Sequence, residues 1–479
     1  MKEFDLNVEK VLEHWTIAHA LREIIANALD ESILTNTDEP QIFKDHDNKW
    51  HIRDFGRGLK YEHLTQNENS EKTEHPDKVI GKFGVGLKDA MATFDRRNIG
   101  VIIQSKYSDI TIEKLTKGNF DDLVTLHAIV KNPTYPNMVG TDFILTNVKE
   151  DDIKKAKNFF LQYSGEKIIE TTKYGELIEN STGLSKIYVN GLSVAEEENF
   201  LFSYNITSTT KQLRKSLNRE RTNVGRTAYS DRIKSILLEC TSQRAAETLV
   251  DDLQKVQTGN VHEELLWIDI QLHACKILSS IRNVIFLTAN DLINGGKYVK
   301  YAEQDGLQII TIPDSLAGKL VTAKDLDGNS FRDIDLYARE WNEKFEFDII
   351  PENQLTKKER EVFNYKDTIV NWYPNSLKGI KDIVISNTMS PNNYTGTDAL
   401  GIWEPSTKRI IIKRTQLKDV HSFASTLLHE LIHAHTGTDD NTIEFENELT
   451  DMLGRLSTFI IKNDSHSNSN SLLGKLFKK

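Results

Sequence analysis

The chain has 479 residues, of which 38% are hydrophobic and 27% charged, and its formal net charge is −11. That balance supports buried cores and excludes wholesale disorder; the acidic excess excludes a chain-wide nucleic-acid binder, so any such contact is local and not favoured. Its two cysteines, Cys240 and Cys275, exclude a disulfide scaffold and a Cys-rich zinc finger and predict a reducing, cytoplasmic setting. The opening MKEFDLNVEK is too polar for a signal peptide, and no apolar run approaches the ~20 residues that span a bilayer.

Residues 1–150 alternate helix and strand signals. Val8 to Leu34 reads as one or two helices, with Leu21, Ile24, Ile25, Ala28 and Leu29 at helical spacing. QIFKDHDNKWHIRDFG reads as two strands broken by a DHDN turn, and IGVIIQS, SDITIEKL, DLVTLHAIV and TDFILTNV as further strands. Adjacent strands without long intervening helices predict an α+β sandwich, not a doubly wound sheet. Residues 151–260 predict a second α+β module with a helix (DIKKAKNFFLQY), strands (KIYVNGLSVA, NFLFSYNI) and one helical stretch from Tyr229 to Val256. Residues 261–345 predict a connecting α/β module, and 346–462 an α+β module with strand KRIIIKR and helices near Val420–Thr436 and Thr442–Ile461. Residues 463–479 predict a flexible tail.

Two groups of residues carry chemistry. In the first module Glu23, Asn27 and Asp30 fall on one helix face. Asp54 ends a strand and is followed by Gly56 and Gly58, which allow a tight turn beside a ligand. Gly81, Gly84 and Gly86 precede a helix, where free N–H groups and the helix dipole favour phosphate oxygens. A P-loop or Rossmann site does not fit, because no strand leads directly into these glycines and no GKS or GKT follows.

Taken in order, EIIANALD, DFGRG, GKFGVG and GTDFILTNV resemble the GHKL ATPases, the family of gyrase, the ninety-kilodalton heat-shock chaperone, histidine kinases, MutL and MORC proteins. The resemblance covers about residues 8–150. It implies an ATP and Mg²⁺ site with Glu23 as general base, Asn27 on the magnesium and Asp54 on the adenine amino group. Gly58 would lie against the base, Gly81, Gly84 and Gly86 would form a lid, Lys88 and Lys82 would face phosphate, and Thr141 the adenine. KIYVNGLSV and SLNRERTNVGRTAY resemble the transducer domain that follows in this family. That implies a basic residue reaching the γ-phosphate from among Lys211, Arg214, Lys215, Arg219, Arg221 and Arg226, with Arg219 first and Arg221 second. It also implies a homodimer through the ATPase module.

The second group is TLLHELIHAH. His429 and His433 stand four apart on one helix face and can share Zn²⁺, with Glu430 beside water on the metal. The strand, the HExxH helix and a carboxylate-bearing later helix resemble zincin metallopeptidases, with RIIIKR as the edge-like strand. Glu446 is the expected third zinc ligand, Glu444 and Glu448 are the alternatives, and the thermolysin spacing is absent. Together the two sites predict an ATPase whose nucleotide state regulates a zinc peptidase acting on protein or peptide. The alternative is a MORC-like or chaperone-like clamp whose metal-binding end cuts nothing. Nucleotide-gated proteolysis would suit a defence system.

Overall fold

A computed structural model describes residues 2–6, 12–65, 79–81, 86–117, 120–217, 224–255, 259, 261–373, 379–391 and 398–464. The chain is mixed α+β with four sheets among the described residues, and it separates into two compact units. The first is Met1–Arg282 with Gly318–Ser330, and the second is Asn283–Ala317 with Phe331–Lys479.

The first unit carries a seven-stranded sheet in the order β1-β6-β5-β4-β7-β3-β2. Its strands are β1 (Lys2–Asp5), β2 (Gln41–Lys44), β3 (Trp50–Arg53), β4 (Gly100–Ser105), β5 (Asp109–Lys117), β6 (Phe120–Lys131) and β7 (Thr141–Thr146). All pairings are antiparallel, and the DHDN turn separates β2 from β3 as its residues predict. Helix α1 (Ile17–Thr35) packs on this sheet with Leu21, Ile24, Ile25 and Leu29 against Ile52, Ile103 and Phe143. It starts at Ile17 and not at Val8, since Leu12 to Thr16 are not helical. His19 Nδ1 accepts the Thr16 N–H at the start, and Asn36, in the left-handed region at φ 51°, ends the helix. Helix α2 (Gly86–Arg96) lies against α1.

A five-stranded sheet follows in the order β11-β10-β12-β9-β8. It comprises β8 (Ile168–Thr172), β9 (Gly175–Glu179), β10 (Ser185–Val189), β11 (Leu192–Glu197) and β12 (Phe202–Ile206). Strands β8 and β9 went unread in the sequence. The predicted helix from Tyr229 to Val256 is two helices, Ser230–Glu239 and Gln243–Leu253. The break is built by Glu170, whose carboxylate accepts the N–H groups of Thr241 and Ser242 at 2.7–3.0 Å. Helix Ile268–Ile281, which carries Cys275, packs on Gln243–Leu253.

The second unit contains a two-stranded parallel sheet, β13 (Val284–Leu287) with β14 (Gln308–Thr311), packed by Tyr298, Tyr337 and Ala302. Its four-stranded sheet has β15 (Ile349–Ile350), β16 (Asp382–Ser386), β17 (Gly401–Glu404) and β18 (Arg409–Lys413) in the order β15-β16-β18-β17. Strand β18, the RIIIKR segment expected at an edge, is therefore interior, and β17 holds the edge. Ile410 and Ile412 face Phe423, Leu427 and Leu431 of helix α3 (Val420–Thr436), which gives that helix one apolar side. Helix α4 (Ile443–Asp464) follows. Among the described residues no helix is long and apolar enough to cross a membrane.

Candidate functional site

Helix α1 carries Glu23, Asn27 and Glu31 one turn apart on one face. From Ala20 to Asp30 every residue except half-buried Asn27 is buried. At one end Gly86 abuts the Glu23 carboxylate: a Cβ there would fall 2.3 Å from Oε2. At the other end Gly56 abuts Glu31, where a Cβ would fall 2.3 Å from Cγ. The Arg57 guanidinium then grips both Glu31 oxygens, Nε on Oε1 at 2.9 Å and Nη2 on Oε2 at 2.8 Å. Asn27 thus lies midway between the two glycine-bearing segments.

Asp54 directly follows β3 and is 5% exposed; its Oδ1 accepts the N–H groups of Gly56 at 2.9 Å and Thr141 at 3.2 Å. Burial pushes its carboxyl up to about 6, helped by the Glu31 charge and opposed by those N–H groups. Thr141 Oγ1 accepts the Leu59 N–H at 3.0 Å, which fixes the turn through Gly58, itself at φ 89°. Gly140 adopts φ 81°, and a Cβ there would fall 1.9 Å from the Asp54 carbonyl oxygen. Only glycine permits that approach.

Asp30, which shares the helix, serves the fold. It is fully buried, and its two oxygens accept the N–H groups of Ile80 at 2.5 Å and Gly81 at 2.8 Å. Gly81 is thereby pinned, with its N–H committed to Asp30. Gly86 and half-buried Lys88 occupy the first turn of α2, the end where unshared N–H groups point outward. Gly84, Lys82, Arg219 and Arg221 lie outside the described residues. Arg226 is committed elsewhere, bridging Glu197 at 2.5 Å and Glu263 at 3.0 Å.

In the second unit His429, His433 and Asp440 each offer a ligand atom, all within 4.8 Å of one another. The His429 and His433 Nε2 atoms are 3.1 Å apart, and Asp440 Oδ1 is 3.1 Å from the first and 3.2 Å from the second. Tetrahedral zinc at ~2.0–2.1 Å asks for donors ~3.3 Å apart, so this donor set fits the ion. His433 places Nδ1 2.7 Å from the Thr438 carbonyl; donation there leaves Nε2 as the lone-pair nitrogen. Burial holds His429 below its ordinary value, favouring the neutral imidazole that ligation requires.

The third donor departs from the sequence expectation. Glu446 and Glu444 are exposed on α4, and Glu448 accepts the Tyr373 hydroxyl. The residue of α4 that faces the histidines is Phe445, 4.6 Å from the His433 ring and 4.9 Å from that of His429. The carboxylate comes instead from the connecting turn. Gly437, at φ 69°, ends α3 and lets the chain double back so that Asp440 returns over the helix. The sequence signal was this glycine three residues before Asp440. His435 packs edge-on against Tyr373, 5.2 Å between rings.

Glu430 is 6% exposed and accepts the Trp403 N–H of edge strand β17, while a Cβ on Gly401 would fall 2.7 Å from its Cγ. Burial pushes its carboxyl up to about 8. Glu430 and the two histidines open on a cleft of about 1140 Å³ whose other wall includes Phe345, Phe347 and β17.

A family described as the Mycoplasma pneumoniae MPN635 N-terminal domain matches residues 151–243, the five-stranded sheet and its helices. Two Mycoplasma pneumoniae proteins, each named only "Uncharacterized protein", are similar to the chain. One is 40% identical over 242 residues, covering 50% of this chain and 97% of the relative. The other is 24% identical over 340 residues, covering 65% of this chain and 93% of the relative.

Proposed function

The chain belongs to the family of these Mycoplasma pneumoniae proteins, and we propose that within it this protein binds and hydrolyses ATP and uses its nucleotide state to regulate a zinc-dependent peptidase. The observation that carries the peptidase is the convergence of His429, His433 and Asp440 beside Glu430 on an open cleft. Zn²⁺ held by those three residues would supply Lewis acidity towards water and a peptide carbonyl. Glu430, steadied by the Trp403 N–H, takes the proton from the attacking water and passes it to the departing amine. Edge strand β17 runs along the cleft beside Glu430, the place for an extended peptide to lay its scissile bond.

In the first unit Asp54, anchored by Gly56 and Thr141, accepts the adenine amino group. Asn27, half-buried within the otherwise buried stretch from Ala20 to Asp30, contributes an amide oxygen to Mg²⁺. Glu23 orients the attacking water, and the first turn of α2 with Lys88 receives phosphate. These assignments follow the GHKL resemblance, as does pairing of two chains through their ATPase modules. The zincin resemblance likewise supplies the substrate class.

The test is cleavage of a proteome-derived peptide library by the zinc-loaded full chain, with and without MgATP. Wild type cuts in a nucleotide-dependent manner; Glu430→Gln binds zinc and cuts nothing; Glu23→Gln binds ATP and loses turnover. Equal cleavage by wild type and Glu430→Gln, or none by wild type under any nucleotide condition, refutes the peptidase.

A further inference from the structure

Arg22 is fully buried, immediately before Glu23 in α1. A buried guanidinium is costly unless its charge is met. Here Nε at 3.1 Å and Nη2 at 2.9 Å both donate to a single oxygen, Oε1 of Glu23. The carboxylate is therefore held by one oxygen, while Oε2 is turned to Gly86 at the start of α2. The guanidinium is itself seated between two rings, 5.3 Å from Trp15 and 5.5 Å from Phe159.

Phe159 belongs to the segment matched by the Mycoplasma pneumoniae family, and the β10–β11 turn pins its backbone. Ser193 N–H donates to the Phe159 carbonyl at 2.8 Å, and Leu161 N–H donates to Gly191 at 2.8 Å. The turn itself is Asn190-Gly191, at φ 49° and 80°. It has a second hold on the first module, because Asn190 Nδ2 donates to the Val79 carbonyl at 2.9 Å, next to the two N–H groups that Asp30 secures. One hairpin turn therefore reaches the first module twice, directly at Val79 and indirectly through Phe159, whose ring lies by Arg22 next to Glu23.

We propose that Phe159 and Arg22 are positioning residues for Glu23, so that the β10–β11 turn sets the aim of the ATPase general base. The proposal rests on the ATPase reading above. Phe159 keeps the guanidinium edge-on to Glu23, and Arg22 fixes Oε1, leaving Oε2 to accept the proton of the attacking water. Displacing the turn releases the ring, then the guanidinium, then the carboxylate. Turnover falls without any change in the groups that hold adenine or phosphate.

The experiment compares wild type, Glu23→Gln, Arg22→Lys, Arg22→Met, Phe159→Ala and Phe159→Tyr as full chains with MgATP. It reads kcat by phosphate release and Kd with a fluorescent ATP analogue. Arg22→Met and Phe159→Ala are expected to lower kcat ~10–100-fold, the scale of a misplaced catalytic group, with Kd within about threefold. Phe159→Tyr restores the rate, and Arg22→Met with Phe159→Ala is no slower than Arg22→Met alone, because both act through one contact. Should Arg22→Met fail to fold, half-buried Phe159 decides the matter. Wild-type kcat in Phe159→Ala and Arg22→Lys, or a double variant whose losses multiply, overturns the relay. If Glu23→Gln abolishes turnover in that case, the ATPase itself stands; if wild type neither binds nor turns over ATP, both fall.

Discussion

Asp54 is the residue at which the demands of folding and of the proposed ATP site oppose each other most plainly. Its carboxyl rises from an ordinary 3.8 to about 6 because burial disfavours the charge. At ~1.4 kcal/mol per pH unit, holding it ionised in the folded chain costs at most ~3 kcal/mol. The sign follows from the raised value. Below pH ~4 the group is protonated in both folded and unfolded chains and costs nothing. Between ~4 and ~6 the unfolded chain releases its proton first, so stability drops as pH rises, and above ~6 the full cost is present. Asp54→Asn keeps the oxygen that accepts from Gly56 and Thr141 and removes the charge. It should stabilise the nucleotide-free protein by ~1–3 kcal/mol at pH 7 and by nothing below pH 4, read as the difference in urea midpoints between the two proteins. Taking that difference cancels other titrating groups, including buried Glu264, which burial raises to about 7. The same variant should lose ATP affinity at least tenfold, since the amide no longer offers the adenine a charged acceptor. Equal stability of the two proteins across pH 4–8, or unchanged ATP affinity, would refute the argument.

At the proposed zinc site, Asp440→Asn should weaken zinc binding ~100-fold or more, beyond the ~10–100-fold typical of outer partners. Glu446→Gln should leave it unchanged, and competition with a chromophoric chelator reads both. The reverse ranking would move the third ligand back to α4. Phe445→Ala removes the ring stacked on His433 and should cost ~10-fold in zinc affinity, with Phe445→Tyr restoring it. Gly140→Ala combines a left-handed backbone with a Cβ 1.9 Å from a carbonyl oxygen and should destabilise the first unit by ~2–4 kcal/mol in urea titration.

The first module was readable because its signals are local. Alternating β-formers between turn residues marked β2 through β7, and the glycine at 58 announced a turn conformation that few other residues adopt. What escaped reading was set by partners distant in sequence. Nothing near Cys240 foretold that Glu170 would break a helical pattern there, and nothing near Arg57 named Glu31 as its carboxylate. Register caused a different failure. The HExxH spacing put His429 and His433 on one face, but which carboxylate joins them depends on how sharply the chain turns after Gly437, where Asp440 precedes the glutamate-rich helix. The edge strand was misplaced for a similar reason: β17 and β18 pair locally, yet which of them is outermost depends on β16, some fifteen residues upstream of β17.

Both thiols of the chain lie in the first unit, and both are sealed: Cys240 is 2% and Cys275 0% exposed. Cys240 also donates to Glu170 at 2.7 Å, and burial pushes its thiol up to about 12. A maleimide dye can therefore mark the protein only while that half is transiently open. Labelling rates measured against denaturant would report the opening of one half in isolation, with no engineered probe, and a slower rate with ATP would show that the nucleotide binds there and holds it shut.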